Sequence, residues 1–117
     1  HPQVSSVNYA GLASSPYNKA QQTYAPKGAG AIVSFEIVGG VEAGIKFVDA
    51  LELFSHVANI GDVRSLVIHP ASTTHSQLSE KDLATTGVTP GLVRLSIGLE
   101  TYEDLVADLQ KGFAAAK

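Results

Sequence analysis

Apolar residues occupy every second position of residues 31–38. A repeat of two residues is typical of a β-strand that buries one face, so this segment is predicted to be a strand. A shorter strand is predicted over residues 4–9. Residues 17–24 are predicted to form a short helix, which ends because Pro26 cannot continue it.

The spacing of apolar residues changes after Gly39-Gly40, from two residues to 3.6. Residues 41–55 are therefore predicted to form a helix with one apolar side. Beyond this helix we expect an extended segment over residues 56–60, a turn at Gly61-Asp62, and a buried strand over residues 65–68. This strand stops before Pro70, which could not donate to a neighbouring strand.

The most strongly marked elements lie near the end of the chain. Small and polar residues at 71–77 predict a loop, and Ser79 is predicted to begin a short helix. The apolar run of residues 92–100 predicts a strand. Thr101 is predicted to cap the last helix, with Asp104 in place of the usual glutamate of a capping box. The apolar side of that helix consists of Leu105, Leu109 and Phe113.

Strands and helices interleave along the chain, and several connections are too short for the crossover that joins parallel strands. The expected fold class is therefore α+β: a two-layer sandwich in which helices pack on one face of a mainly antiparallel sheet. No repeat, linker or shift in composition divides the sequence. Residues 1–117 are expected to form a single domain.

Arg94 is the residue of most functional interest, because it is a cation inside an apolar strand. Alternation places Val93 and Leu95 on one face and Arg94 on the other. A guanidinium is always charged, is seldom buried without a partner, and has a flat fork of donors that matches a carboxylate or a phosphate. Two interpretations remain open: Arg94 binds an anionic ligand, or it extends to water or pairs with a nearby acidic residue.

The composition limits the classes of partner. The net charge is −3 and the 8 basic residues are scattered, so neither nucleic acid nor a membrane is an expected partner. The absence of cysteine excludes disulfides and thiolate metal sites, and a cytoplasmic location is expected. Because the chain also lacks methionine and begins His1-Pro2-Gln3, we expect it to be a piece of a longer polypeptide.

No active site is completed by residue spacing alone. His69 and His75 flank one loop, but their spacing fits no zinc motif. No serine stands in a G-x-S-x-G elbow, and the glycines lack the layout of a phosphate-binding loop. The acidic residues have no partner that spacing would pair for acid–base chemistry. No catalytic, metal or cofactor-binding residue is therefore assigned.

Several segments resemble a known family. The segments GDVRSLVIHPASTTH (61–75), GVT (87–89) and GLVRLSIGLE (91–100) are similar to the C-terminal domain of the pyridoxal-phosphate enzymes of cysteine and methionine metabolism. Residues 27–31 and 54–62 resemble the O-acetylhomoserine sulfhydrylase branch more than the lyases. The resemblance covers nearly the whole chain, and its departures, at Ala10 and Ser15, lie in an early connecting segment.

The resemblance implies a large two-domain subunit, usually a tetramer, that uses pyridoxal phosphate to convert O-acetylhomoserine and sulfide into homocysteine and acetate. In the family the cofactor is attached to a lysine that follows a small hydroxylated residue, usually threonine. No lysine of this chain follows serine or threonine. We therefore expect the cofactor-binding large domain to be absent from this chain, and the fragment alone to bind no cofactor and to be inactive.

The resemblance also assigns substrate-binding roles to Arg94 and Asn59. Arg94 matches the family arginine that grips the α-carboxylate of the amino-acid substrate, and Asn59 matches a neighbouring position that helps to orient the same group. The alternative is a stand-alone, non-catalytic α+β module that binds an amino acid or oligomerises. The length of the complete reading frame distinguishes the two.

Overall fold

The computed structural model describes residues 1–74, 82 and 85–117. In this part of the chain one sheet contains five strands, in the spatial order β1-β2-β5-β4-β3. The strands are β1 (Val4–Asn8), β2 (Ile32–Ile37), β3 (Ser55–His56), β4 (Leu66–Ile68) and β5 (Leu92–Ser96). The helices are α1 (Asn18–Tyr24), α2 (Gly40–Asp49), α3 (Tyr102–Ala115) and a short 3-10 helix (Pro70–Ser72).

Strand pairing confirms the predicted α+β class with a mainly antiparallel sheet. β2 pairs antiparallel with β1 and with β5, and β4 pairs antiparallel with β5. Only β3 and β4 run parallel among the described strands. The central strand is β5, so Arg94 lies between Ser34 of β2 and Ile68 of β4.

The hydrophobic core lies between one face of the sheet and the helices α2 and α3. The inward residues alternate along the strands, as the repeat of two predicts. Phe47 of α2 is fully buried and meets the ring of Phe35 edge-on, and Phe113 of α3 packs on both rings. Helix α1 buries no side chain. The predicted two-layer packing is therefore made by α2 and α3, and other core members are Ile37, Val67, Val93, Leu95 and Leu105.

Helix α2 ends earlier than the periodicity predicts, at Asp49 rather than near residue 55. The N–H groups of Glu52, Leu53 and Phe54 donate to the carboxylate of Asp108 on α3 instead of to helix carbonyls. The expected extended segment over residues 56–60 is also shorter, since only Ser55–His56 pairs with β4. The predicted loop over 71–77 begins with 3-10 structure, and its last residues lie outside the described ones, as does most of the helix predicted from Ser79.

Thr101 is the N-cap of α3, as predicted, but its hydroxyl has a different partner from that of a capping box. The hydroxyl donates to the carboxylate of Asp104 at 2.6 Å and accepts no helix N–H. Aspartate is one carbon shorter than the usual glutamate and here contacts the threonine hydroxyl. Leu105 is buried and Leu109 and Phe113 are partly buried against the core, which confirms the apolar side of this helix.

His69 is a structural residue that joins α2 to the segment before β5. Its ring is fully buried: Nε2 donates to the carbonyl of Pro90 at 2.7 Å, and Nδ1 accepts from the hydroxyl of Ser72 at 2.8 Å. The ring lies flat against the backbone of α2 at Gly44, where a Cβ atom would be 2.4 Å from Nε2. The close approach requires glycine at this position.

Gly44→Ala is expected to lower the free energy of unfolding by about 2 kcal/mol, because the methyl group must displace the His69 ring in a close-packed site. Equilibrium denaturation in urea measures the change. Gly28→Ala is the matched control, since a Cβ there meets no atom within 4 Å. Equal stability of the two variants would show that the His69 ring moves aside without cost.

Candidate functional site

Arg94 lies on the face of the sheet opposite to the helix layer. Its neighbours in the strand, Val93 and Leu95, are buried in the core, and Arg94 is partly buried on the other side. This is the orientation that the alternation predicts.

The guanidinium of Arg94 has few protein partners. Nη2 donates to the main-chain carbonyl of Asn59 at 3.3 Å, whereas Nε is buried and has no acceptor. Among the described residues, ion pairs join Lys46 to Glu42 and Lys111 to Glu52 and Asp108, and none involves Arg94. A buried donor without an acceptor is costly, so the described residues satisfy this guanidinium only in part.

Asn59 lies beside Arg94, but it makes contact through its backbone. The side-chain Oδ1 accepts the N–H of Ile60 at 2.9 Å, and the side chain as a whole is exposed. The structure therefore brings together the two residues that were assigned to the substrate carboxylate, with the main-chain oxygen of Asn59 directing one end of the guanidinium. The role of the Asn59 side chain stays a prediction.

Ser96, which stands in no hydrolase motif, also belongs to this region. Ser96 lies two residues after Arg94, faces the same side of the sheet, and is 2% exposed. Its Oγ accepts the N–H of Gly61 at 3.2 Å, which joins the turn containing Asn59 to β5. The sequence did contain a sign of this arrangement, because residues two apart in a strand lie on the same face and Ser96 is two residues after Arg94.

A second hydrogen-bond network lies at the end of β5. The carboxylate of Glu100 accepts the N–H and the hydroxyl of Ser65, each at 2.8 Å, and the Ser65 Oγ accepts the N–H of Gly98 at 2.8 Å. Burial alone would raise the pKa of Glu100, and the charge of Asp62 acts in the same direction. The hydrogen bonds from Ser65 outweigh both, and the pKa of Glu100 is lowered.

Because the pKa of Glu100 is lower in the folded chain than in the unfolded one, its contribution to stability is present above the ordinary glutamate pKa. The contribution is lost as the pH falls through the lowered value. We expect Glu100→Gln to be less stable than the parent at neutral pH, and the difference to shrink in acid. Denaturation at a series of pH values measures this, with exposed Glu103→Gln as control. A difference that stays constant with pH would contradict the assignment.

The other acidic residues weighed for acid–base chemistry make structural contacts. Glu36 accepts the N–H of Gly91 at 3.0 Å and the hydroxyl of Thr89. Glu42 and Glu52 pair with lysines, and Asp62 accepts the N–H of Arg64 at 2.9 Å. These contacts leave Arg94 as a partly buried cation whose Nε has no acceptor among the described residues.

Among the described residues, no group of three or more histidine, aspartate or glutamate side chains is arranged to hold a metal ion. No helix in that part of the chain combines the length and the apolar character needed to cross a membrane. His75, which was considered with His69, lies outside the described residues.

The sequence of the chain matches the family model described as Cys/Met metabolism PLP-dependent enzyme over residues 1–114. The chain belongs to this family. The resemblance drawn from residues 61–75 and 91–100 is thereby confirmed.

Members of the Cys/Met metabolism family similar to this chain include proteins of several activities. The O-acetyl-L-homoserine sulfhydrylase of Corynebacterium glutamicum is 53% identical over 98% of this chain and 26% of its own length. The L-methionine gamma-lyase of Pseudomonas putida is 46% identical over 98% of this chain and 29% of its own. The structure of cystathionine gamma synthase from Xanthomonas oryzae has a TM-score of 0.84 and 42% identity, over 99% of this chain and 30% of that one. The chain therefore spans about a quarter of the length of the relatives it matches.

No contact of the described lysines marks any of them as the cofactor lysine of this family. A cofactor lysine must be accessible and close to the bound amino acid. Lys46 and Lys111 instead pair with carboxylates on the helix layer, on the side of the sheet opposite to Arg94. Lys19, Lys27 and Lys117 are exposed, and Lys81 lies outside the described residues.

Proposed function

We propose that this chain is the substrate-binding C-terminal domain of a PLP-dependent O-acetylhomoserine sulfhydrylase, and that Arg94 binds the α-carboxylate of the amino-acid substrate. One observation carries the proposal: Arg94 is partly buried, and its Nε donor has no acceptor among the described residues. Membership of the Cys/Met metabolism family supports an amino acid as the ligand.

The geometry of the guanidinium favours a carboxylate. The Asn59 carbonyl accepts from Nη2 at 3.3 Å and so limits rotation of the planar group. The donors of a guanidinium lie in one plane and match the two oxygens of a carboxylate in a fork-to-fork arrangement. Lysine offers one charged atom and could not fix the plane of the bound group.

The proposed reaction exchanges the acetate of O-acetylhomoserine for sulfide and yields homocysteine. The contribution of this chain is orientation. Binding the carboxylate fixes the direction of the bonds at the substrate Cα, and correct positioning of reacting groups raises the reaction rate.

The cofactor, its lysine and the large domain are assigned to polypeptide outside this chain, and the complete enzyme is proposed to be a homotetramer. The sulfhydrylase from Corynebacterium glutamicum is 53% identical, against 46% for the gamma-lyase, which supports this branch.

The test is expression of the complete reading frame that contains this chain, followed by an assay with pyridoxal phosphate, O-acetylhomoserine and sulfide. We expect homocysteine and acetate in equal amounts. The 117-residue chain alone is the control and is expected to form neither product. A reading frame that starts next to His1, together with amino-acid binding and no reaction, would support the stand-alone module instead.

A further inference from the structure

We propose that Ser96 is a positioning residue for the substrate carboxylate, because its hydroxyl holds the Asn59–Gly61 turn against Arg94. This inference rests on the proposed function of Arg94 and assigns a role to a second residue of the same strand. Ser96 itself does not contact the substrate in this proposal. It acts through the backbone of the turn.

The position of the Ser96 hydroxyl is fixed by the sheet. Ser96 pairs with Ile32 on β2 and with Leu66 on β4, so a neighbouring strand lies on each side of its backbone. It faces the same side as Arg94, and only 2% of its surface is exposed. A rigid, buried acceptor is therefore available beside the arginine.

The turn itself has little else to hold it in place. Ile60 is 58% exposed, and Asn59 and Gly61 are also exposed, so burial contributes little to its position. Within the described residues, the bond from the Gly61 N–H to Ser96 Oγ and the bond from Arg94 to the Asn59 carbonyl join residues 59–62 to β5. Gly61 has a φ of 74°, which lets the chain turn there.

The two hydrogen bonds connect the same turn to β5 at two points. Ser96 fixes Gly61, Gly61 lies two residues from Asn59, and the Asn59 carbonyl sets the orientation of the guanidinium. Loss of the hydroxyl frees the turn and lets the guanidinium rotate away from the plane that receives a carboxylate. The expected consequence is weaker substrate binding together with a slower chemical step, because the bonds at the substrate Cα lose part of their fixed direction.

Kinetics of the complete protein test the proposal. Ser96→Ala is expected to raise the KM for O-acetylhomoserine about fivefold, the effect of one net hydrogen bond, and to lower kcat as well. Ser96→Cys, which keeps the size of the side chain but is a weak acceptor, is expected to change KM in the same direction. Ser6→Ala is the matched control: it is a serine on the same sheet face, on β1, and we expect it to leave KM unchanged.

A double-mutant cycle with Arg94→Lys separates positioning from general loss of structure. If Ser96 acts through Arg94, the double variant should have the same KM as Arg94→Lys alone, whereas independent effects would multiply. Hydrogen exchange of a peptide covering residues 57–64 should be faster in Ser96→Ala, and that of residues 92–96 unchanged. This pattern locates the change in the turn.

The outcomes that overturn the proposal are distinct from those that overturn the function. If Arg94→Lys raises KM and neither Ser96 variant does, the positioning role is wrong and the carboxylate site stands. Multiplicative effects in the cycle would also refute positioning through Arg94. If Arg94→Lys itself leaves KM unchanged, both assignments are wrong.

Discussion

Arg94→Ala in the complete protein is expected to lower kcat/KM for O-acetylhomoserine about a hundredfold or more, the cost of removing one partner of a hydrogen-bonded charge pair. The substrate carboxylate would be left without its cation, and the bonds at Cα would lose their fixed direction. Steady-state kinetics over a range of O-acetylhomoserine concentrations measure the change. The variant should fold, because Arg94 forms no ion pair in the described part of the chain.

The control for this experiment is the chain's other arginine. Arg64 is exposed, and its bond to Asp62 uses the main-chain N–H, which alanine keeps, so Arg64→Ala should leave kcat/KM close to the parent value. Arg94→Lys should fall between Arg94→Ala and the parent, because lysine keeps the charge and loses the fork. Near-normal kcat/KM in Arg94→Ala would refute the carboxylate assignment, whatever the other variants show.

Part of the site could be predicted from the sequence because it depends on strand geometry. The alternation around Arg94 requires a cation on the face away from the core, and the structure places it there. The sequence left open whether Arg94 binds a ligand, extends to water or pairs with an acidic residue. Among the described residues no acidic side chain pairs with it, which argues against the internal ion pair.

The contact of Asn59 could not be predicted, because it uses the main chain. Any residue at this position has a carbonyl, and its direction depends on the turn at Gly61 and on the hydroxyl of Ser96. A pattern of residue types records side chains and contains no information about which carbonyl faces which donor. The partner of Ser96 could not be predicted for the same reason, because it is a backbone N–H 35 residues away.

The strands and the last helix could be predicted because their repeats are local, whereas the end of α2 could not. Periodicity continued the helix through Leu51 and Phe54, since both are apolar and correctly spaced. The structure ends the helix at Asp49, and the N–H groups of residues 52–54 bind Asp108, more than 50 residues further along the chain. An acid at a buried position of α3 was the available sign, because the apolar side of a helix rarely includes one.

Asp108→Ala is therefore expected to lower the free energy of unfolding by about 3 kcal/mol, since buried donors would lose their acceptor. Asp108 is 3% exposed, and its carboxylate accepts the N–H groups of Glu52, Leu53 and Phe54 at 2.9 to 3.2 Å. Lys111 adds a charge contact at 3.7 Å. Denaturation in urea measures the loss, with exposed Glu103→Ala on the same helix as control.

Asp108→Asn distinguishes the hydrogen bonds from the packing. Its single amide oxygen can take the place of Oδ2, which accepts from all three N–H groups, so this variant should lose less stability than Asp108→Ala. If both variants are as stable as Glu103→Ala, the carboxylate does not hold the segment after α2. That segment leads directly into β3 and then into the turn beside Arg94. We therefore expect Asp108→Ala both to lower the free energy of unfolding and to raise the KM of the complete enzyme.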